Sequence, residues 1–487
     1  MLSTEGTIRG APGFRLLVRS ALWADEQETA SLRNLIWLYF WLLLLEGALR
    51  KWTLPSLSAP LLIIRDPIVL LIYAKALRCG RFPVAGPVLA CFVLLAFFVV
   101  LAVVQIQVAI GGGPVVAAYG LRTYFLHLPL IFIIPCVLSQ EDVLKFGKWI
   151  LLLSVPMAAL MVLQYLSPPG SWINATTVAD RQQISFAMGK IRPPGTFSFA
   201  TGAAHFFVLA TSFLIYALVE SRRVFPRWLL VAALFSVAIV QPVSGSRLLV
   251  LGCALVVVAA IFFGILNPGR ARRLLAMAAL LSLAVALLSQ TGFFVEAVDM
   301  FIRRWDSANT AAGGIRAGLV WRFFGGFLEP FMLLPDISVL GQGIGMGTNV
   351  GSAVVTGTSQ FLLAEGEWAR VVLEAGPLLG LAFIAYRVWI AGGIAMHALR
   401  AANRGYLLPW LLAWDAVRSL LVEQTSQPTN LGFMILTTGL CLAAMRQTER
   451  VSRGPVEQGS PMTRFSVDPF APAGCTSASA HSAPWGP

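Results

Sequence analysis

Twelve stretches of this chain are long and apolar enough to cross a bilayer as helices. They run over about 33–50, 59–77, 85–108, 121–139, 145–166, 196–218, 227–243, 246–266, 272–289, 370–391, 405–422 and 428–445. Inside hydrocarbon every peptide N–H and C=O needs a partner within the protein. The expected fold is therefore all-α: a polytopic membrane protein with about twelve transmembrane helices. The eleventh stretch is the least regular, because Pro409, Asp415 and Arg418 interrupt it. Only 12% of the 487 residues are charged against 57% hydrophobic. Soluble domains carry about 25% charged residues, so a soluble fold is excluded.

The net charge of +13 does not point to nucleic acid, because the cations punctuate apolar runs instead of gathering on one soluble face. Lys75, Arg78 and Arg81 follow the second stretch, and Lys145 and Lys148 the fourth. Arg222, Arg223 and Arg227 follow the sixth, Arg270, Arg272 and Arg273 the eighth, and Arg400 and Arg404 the tenth. Every second loop is basic, which assigns those loops and both termini to the cytoplasm.

Residues 1–32 hold no continuous apolar core, so they read as a cytoplasmic segment without a signal peptide, and the first span as a retained anchor. Two external loops are long, 167–195 and 290–369, the second lying between spans nine and ten. In it, "FFVEAVDMFIRRW" and "GLVWRFFGGFLEPF" mix aromatics with arginines and read as amphipathic helices at the membrane surface. The tail 446–487, rich in Pro, Ser, Ala and Gly, reads as disordered. The six cysteines are scattered, with no spacing that suggests a metal or a disulfide framework.

A second set of cations breaks the topology rule by lying on the external side. Arg50, Lys51, Arg65, Arg122, Arg181, Lys190 and Arg418 belong to it, and Glu46 with Arg50 and Asp415 with Arg418 pair at helical spacing. Arg65 and Asp66 are adjacent, cannot share a face, and are each expected to bond another helix. Arg192, Arg247, Arg303, Arg304, Arg316 and Arg322 read as lacking a carboxylate at such spacing, and Arg247 leads directly into an uncharged span. Guanidinium forks suit phosphate. Several converging from separate loops would hold a multiply charged anion just outside the bilayer; snorkelling and anionic lipid headgroups are the alternative use.

No DxD-like pair, GxSxG, P-loop or HExxH is present, and His127, His205, His397 and His481 are isolated. The richest acidic stretch is "LLAEGEWARVVLEAGPLLG", Leu362 to Gly380, with Glu365, Glu367, Arg370 and Glu374 where the chain re-enters the membrane. A glycosyl diphosphate already carries a good leaving group. Its transfer needs cations for the departing charge and a base for the acceptor hydroxyl. Glu365 or Glu367 fits that base, and pairing with Arg370 is the competing role.

With "RPPGTF" at 192–197, "SGSR" at 244–247, "GQGIGMG" at 341–347 and "EGEWARVVLEAG" at 365–376, the chain resembles the O-antigen ligase/polymerase superfamily. "EGALRKWTLPSLSAPLLIIRDP", Glu46 to Pro67, is similar to a subgroup of exopolysaccharide or O-antigen polymerases. The resemblance covers the spans and neither tail. It implies that 33–445 is a glycosyltransferase-like membrane domain of the bacterial inner membrane. The implied donor is a polyprenyl-diphosphate-linked oligosaccharide, used with no metal or cofactor, alongside a chain-length regulator and a flippase as partners. By the same resemblance Arg192, Arg247, Arg303, Arg316, Arg322 and Arg370 hold the diphosphate, and "GQGIGMGTNVG" is a flexible loop bordering the sugar site. Ligases of the family carry a histidine near the end of the long loop. Here Glu365 stands in that place and no histidine lies in 206–396, which favours polymerisation of repeat units over ligation. A transporter of lipid-linked sugar is the third class, but the chain shows no repeated halves.

Overall fold

The structure is a computed structural model, and it describes residues 12–177, 190–220, 224–311, 325–357, 363–364 and 366–452. These residues are helical, with no β-strand among them. In chain order the helices are α1 (Pro12–Ala48), α2 (Asp66–Arg78), α3 (Gly86–Gln107), α4 (Gly113–Leu121), α5 (Leu130–Val137), α6 (Gln140–Leu166), α7 (Ala200–Val219) and α8 (Arg227–Val243). There follow α9 (Arg247–Leu266), α10 (Ala271–Leu288), α11 (Gly292–Ala311), α12 (Gly326–Leu333), α13 (Asn349–Thr356), α14 (Glu367–Asn403), α15 (Leu407–Val422) and α16 (Pro428–Ser452). Single π-helical turns extend α1 at Leu49–Thr53 and α4 at Arg122–Leu126.

Nine helices among the described residues are long and apolar enough to cross a membrane, and they coincide with nine of the twelve expected stretches. The other three are shorter. α2 has 13 residues, α15 has 16 and α8 has 17, spanning roughly 20–25 Å at 1.5 Å per residue against a hydrocarbon core of about 30 Å. The expected span at 59–77 fails locally. Pro55 and Pro60 open short 3-10 turns instead, and the α-helix starts only at Asp66–Pro67.

α14 is not one straight rod. Gly376 sits at φ 73° and ψ 171°, and Pro377 follows it, so the backbone leaves the helix at 376 and restarts. Glu367 and Arg387 are 20 positions apart, roughly 30 Å along an unbroken helix, yet their side chains bond directly. The limb 367–375 therefore folds back along 377–403. A Cβ on Gly380 would stand 2.7 Å from the Cα of Val372, so the glycine permits this close approach. The expected span at 370–391 is corrected accordingly: residues 367–375 form a limb that doubles back, and the run continues from Pro377 to Asn403.

Breaking the helix strands the carbonyls of Leu373 and Glu374. Gln342 N donates to Leu373 O at 2.7 Å, and Gly343 N (3.3 Å) and the Gln105 side chain (3.0 Å) donate to Glu374 O. The loop 341–347 thus substitutes for the missing helix turn, following a path that Gly341, Gly343 and Gly345 take at positive φ.

α11 forms where the amphipathic reading expects it. Phe294, Ala297 and Met300 are buried along one face, and Val295 and Ile302 are more than half exposed on the other. The tail prediction shifts slightly, since α16 runs on to Ser452. Residues 453–487 lie outside the described residues.

α1 meets the chain before α7 backbone to backbone. A Cβ on Gly47 would lie 2.5 Å from both the carbonyl carbon of Phe197 and the amide of Ser198, and backbone cannot rotate aside. Gly47→Ala is therefore expected to cost about 1–3 kcal/mol, read as a lowered melting temperature in detergent. Gly392→Ala, where a Cβ meets nothing within 4 Å, is expected to leave the melt unchanged or raise it.

Candidate functional site

The starts of α2, α7, α9, α14 and α16 and the long loops lie at one end of the bundle, and the basic connections at the other. Three buried polar clusters occupy the loop-rich end. The first centres on Glu46 at the end of α1. Its Oε1 accepts from Arg50 Nη1 (3.4 Å) and its Oε2 from Arg65 Nε (3.2 Å). Arg65 Nη1 also donates to the Tyr39 hydroxyl (3.3 Å), and Nη2 to the carbonyl of Pro428. Asp66 takes a two-point contact from Arg122 and lies 3.0 Å from His127 Nε2. A carboxylate accepts only, so His127 carries its proton on Nε2, and Nδ1 accepts from Tyr39 at 3.1 Å. Arg65 and Asp66 thus each bond other helices, as their adjacency requires.

The second cluster consumes two of the predicted site residues. Arg370 is 1% exposed. Its Nε and Nη2 donate to Glu367 Oε2 (3.0 and 2.9 Å), and its Nη1 to Glu374 Oε1 and the Tyr124 hydroxyl (3.0 and 3.1 Å). Nη2 also reaches Thr425 Oγ1 at 3.0 Å. All five N–H groups of the guanidinium are used, so Arg370 has no donor left for a diphosphate. Glu367 is equally occupied, because Oε1 accepts from Arg387 Nη1 and from Thr425 at 2.8 Å. Both of its oxygens are therefore taken up by Arg370, Arg387 and Thr425, which leaves neither to meet an acceptor hydroxyl. Both residues belong to the scaffold that holds the doubled-back limb.

The glycine-rich loop docks on the same cluster. Gly345 N and Gly347 N donate to the Glu374 carboxylate at 3.1 and 2.8 Å, and Ile344 N to Gln105 Oε1 at 2.9 Å. The amides that would cradle an external anion already cradle Glu374. The expected flexible loop is instead pinned.

In the third cluster Arg418 bonds Asp415 and Glu423, and its Nη2 lies 3.2 Å from His205 Nδ1. His205 Nε2 faces Glu423 at 3.2 Å, and Asn430 Nδ2 donates to Glu423 Oε2 at the same distance. Burial works against a charge on Glu423, but His205 and Arg418 beside it hold its carboxyl well below the usual carboxylate range.

The remaining predicted anion ligands part ways. Arg316, Arg322 and the predicted base Glu365 lie outside the described residues. Arg303 does have a carboxylate at helical spacing, contrary to the sequence reading: its Nε donates to Asp299 Oδ2 at 2.8 Å in a solvent-exposed i,i+4 pair. Arg192 is half-buried at the head of "RPPGTF". That motif is mainly an anchor, since Gly195 O and Phe197 O accept from the buried Lys51 ammonium at 2.7 and 2.8 Å, and Gly195 N donates to Gln164 Oε1 at 2.8 Å.

"SGSR" is a helix cap. Ser246 Oγ accepts from Leu249 N at 3.4 Å, and Arg247 follows as the first residue of α9. A cation in the first turn opposes the helix dipole by a few tenths to about 1 kcal/mol. Among the described residues Arg247 forms no ion pair. Its guanidinium lies 5.9 Å from the ring centre of Trp305 on α11. Arg247 and the surface helix α11 therefore meet through this ring contact.

Two cavities bordered by described residues bear on the site. The larger, about 850 Å³, sits at the basic end between Gln140, Tyr216, Glu220, Arg270, Arg404 and Tyr406, and none of the predicted site residues lines it. The smaller, about 270 Å³, lies at the loop-rich end against Glu367, Trp368, Glu423 and Asn430. Among the described residues no group of three His, Cys, Asp or Glu side chains is placed to hold a metal. No protein-family model matches the chain, and no curated protein is significantly similar to it. The fold and site together define an all-helical, multi-pass membrane protein with a charged core at one end.

The two kinds of arginine separate by experiment. Arg370→Met strands Glu367 and Glu374 in the interior and is expected to cost about 3–5 kcal/mol. Arg247→Ala removes no ion pair and is expected to stay within about 0.5 kcal/mol of the parent. Thermal unfolding of the purified variants in one detergent checks both.

Proposed function

We propose that the protein polymerises polyprenyl-diphosphate-linked oligosaccharide repeat units into O-antigen or exopolysaccharide at the outer face of the bacterial inner membrane. One observation carries this reading. Arg247 occupies the helix end where a cation is least stable, without an ion pair among the described residues, beside the aromatic surface helix α11. A diphosphate supplied by a lipid carrier would remove that imbalance, and a guanidinium fork binds it at two points. Counting α2, α8 and α15 as crossings gives twelve spans, with both termini on the basic, cytoplasmic side.

In this reading Arg247 and Arg192 take up charge on the departing diphosphate, with Arg316 and Arg322 of the loop 290–369 as further donors. Arg370 is withdrawn from that role and Glu367 from that of base. The attacking hydroxyl loses its proton to a carboxylate, its oxygen bonds the anomeric carbon, and the carbon–oxygen bond to the diphosphate breaks with its electron pair on the leaving group.

The broken helix α14 favours a second reading, because transporters build midplane sites from discontinuous helices. Against it, the freed carbonyls and charges at this break are already bonded within the protein. Purified protein given only lipid-linked repeat units separates the two, since a transporter leaves the units unjoined.

Arg247→Ala and Arg192→Ala are each expected to lower elongation about 10²–10³-fold, the scale of losing one charge-stabilising donor at a transition state, while membrane levels stay normal. Arg247→Lys is expected to be impaired as well, because a point charge does not replace the fork. Glycan ladders from complemented deletion strains give the readout, and full-length polymer from both alanine variants would exclude the anion site.

A further inference from the structure

The larger cavity, about 850 Å³, lies at the basic end of the bundle, between the start of α6, the end of α7, the α9–α10 turn and the α14–α15 turn. Its size suits a small ligand, whose sites run to roughly 300–1,000 Å³. The rim is fixed from several sides. Arg270 of the α9–α10 turn donates to Glu220 at the end of α7 at 3.0 Å, so these two charges cancel. Asn267 Nδ2 donates to the carbonyls of Phe263 and Ala402, both at 3.1 Å, and ties that turn to the end of α14. Ser139 and Asp142 close a capping box at the start of α6.

Two charges of opposite sign are left. Glu141, in the first turn of α6, and Arg404, just after α14, both line the cavity and are exposed, and neither forms an ion pair among the described residues. Each sign suits its helix end, but helix ends do not explain why an acid and a base border one cavity without pairing. Neutral polar groups stand beside them. Asn267 spends its amide on two carbonyls, and its Oδ1 accepts no bond among the described residues while keeping accessible surface. The half-buried Tyr406 likewise has an unbonded hydroxyl. Leu144, Val224 and Leu266 add partly exposed apolar wall.

A simple anion would be repelled by Glu141, and a simple cation by Arg404. A zwitterion answers both. A phosphodiester accepts from the Arg404 fork and the Tyr406 hydroxyl, and a primary ammonium donates its N–H groups to Glu141 and Asn267 Oδ1. A quaternary ammonium has no N–H to give and would leave those acceptors unmet. The apolar wall, and the place between helices at the basic end, favour a headgroup that carries acyl chains over a soluble aminoalkyl phosphate.

We propose that this cavity binds one phospholipid of the cytoplasmic leaflet with an aminoethyl phosphate headgroup, its phosphate on Arg404 and its ammonium on Glu141. The site lies at the opposite end from Arg247 and stands whether or not repeat units are joined there.

Full-length protein in detergent is titrated with dioleoyl phosphatidylethanolamine, phosphatidylcholine or phosphatidylglycerol, and bound lipids are counted by native mass spectrometry. One phosphatidylethanolamine is expected to bind at least about 3-fold more tightly than either other lipid, the scale of one hydrogen bond. Arg404→Gln and Glu141→Gln should each weaken it about 3- to 10-fold. Glu141→Gln should also narrow the preference over phosphatidylglycerol, because it removes the like charge. Neither side chain bonds another described residue, so the lipid-free melting temperature should hold. Arg400→Gln, at the same end but outside the cavity, should bind as the parent does. Equal binding of the three lipids, parental affinity in both Arg404→Gln and Glu141→Gln, or an equal loss in Arg400→Gln means unspecific annular lipid and overturns the site. Displacement of bound phosphatidylethanolamine by equimolar free phosphoethanolamine overturns the lipid assignment in favour of a soluble ligand.

Discussion

The contact on which the loop-rich end depends is the buried chain Glu374–Arg370–Glu367–Arg387. Two carboxylates and two guanidiniums are withdrawn from water together, and each charge is tolerable only because the others neutralise it at hydrogen-bonding distance. The chain holds the limb 367–375 against 377–403 after Gly376 and Pro377 have broken α14. Arg387 also reaches the carbonyls of Leu420 and Glu423, which closes the end of α15. Thr425 bonds both Glu367 and Arg370 and ties the start of α16 to the same group. Four segments therefore share one electrostatic solution, and losing any charge strands another in a medium that cannot solvate it.

The same logic sorts the cations by purpose. Where guanidiniums meet carboxylates in the interior, as at Arg65, Arg370, Arg387 and Arg418, the protein has answered its own charge. The glycine-rich loop follows suit, turning its amides onto Glu374 and leaving nothing for an outside anion. Arg247 stands apart because the field of its own helix opposes it and an aromatic ring is its neighbour.

Much of this was legible at short range and little of it at long range. Glu46–Arg50 and Asp415–Arg418 lie within one helical turn, so spacing alone identified them. Arg303–Asp299 obeys the same rule, four residues apart on one exposed helix face. Glu367 and Glu374 flank Arg370 at three and four residues, a spacing that pairs all three on one helix face, whereas the expectation of an anion ligand at Arg370 needed it unpaired.

The periodic supply of apolar residues determined, without any tertiary information, that the chain is helical and crosses a membrane repeatedly, because a backbone in hydrocarbon has no other way to bond its own peptide groups. The basic loops likewise marked one end of the bundle. Where α14 doubles back, which acid answers each arginine, and which polar atoms are left over were decided only by the folded arrangement. Those outcomes join residues such as Tyr124 and Glu374, 250 positions apart. An ion pair or an unmet hydrogen bond is a property of atoms within about 3 Å of each other, and distance along the chain does not encode it.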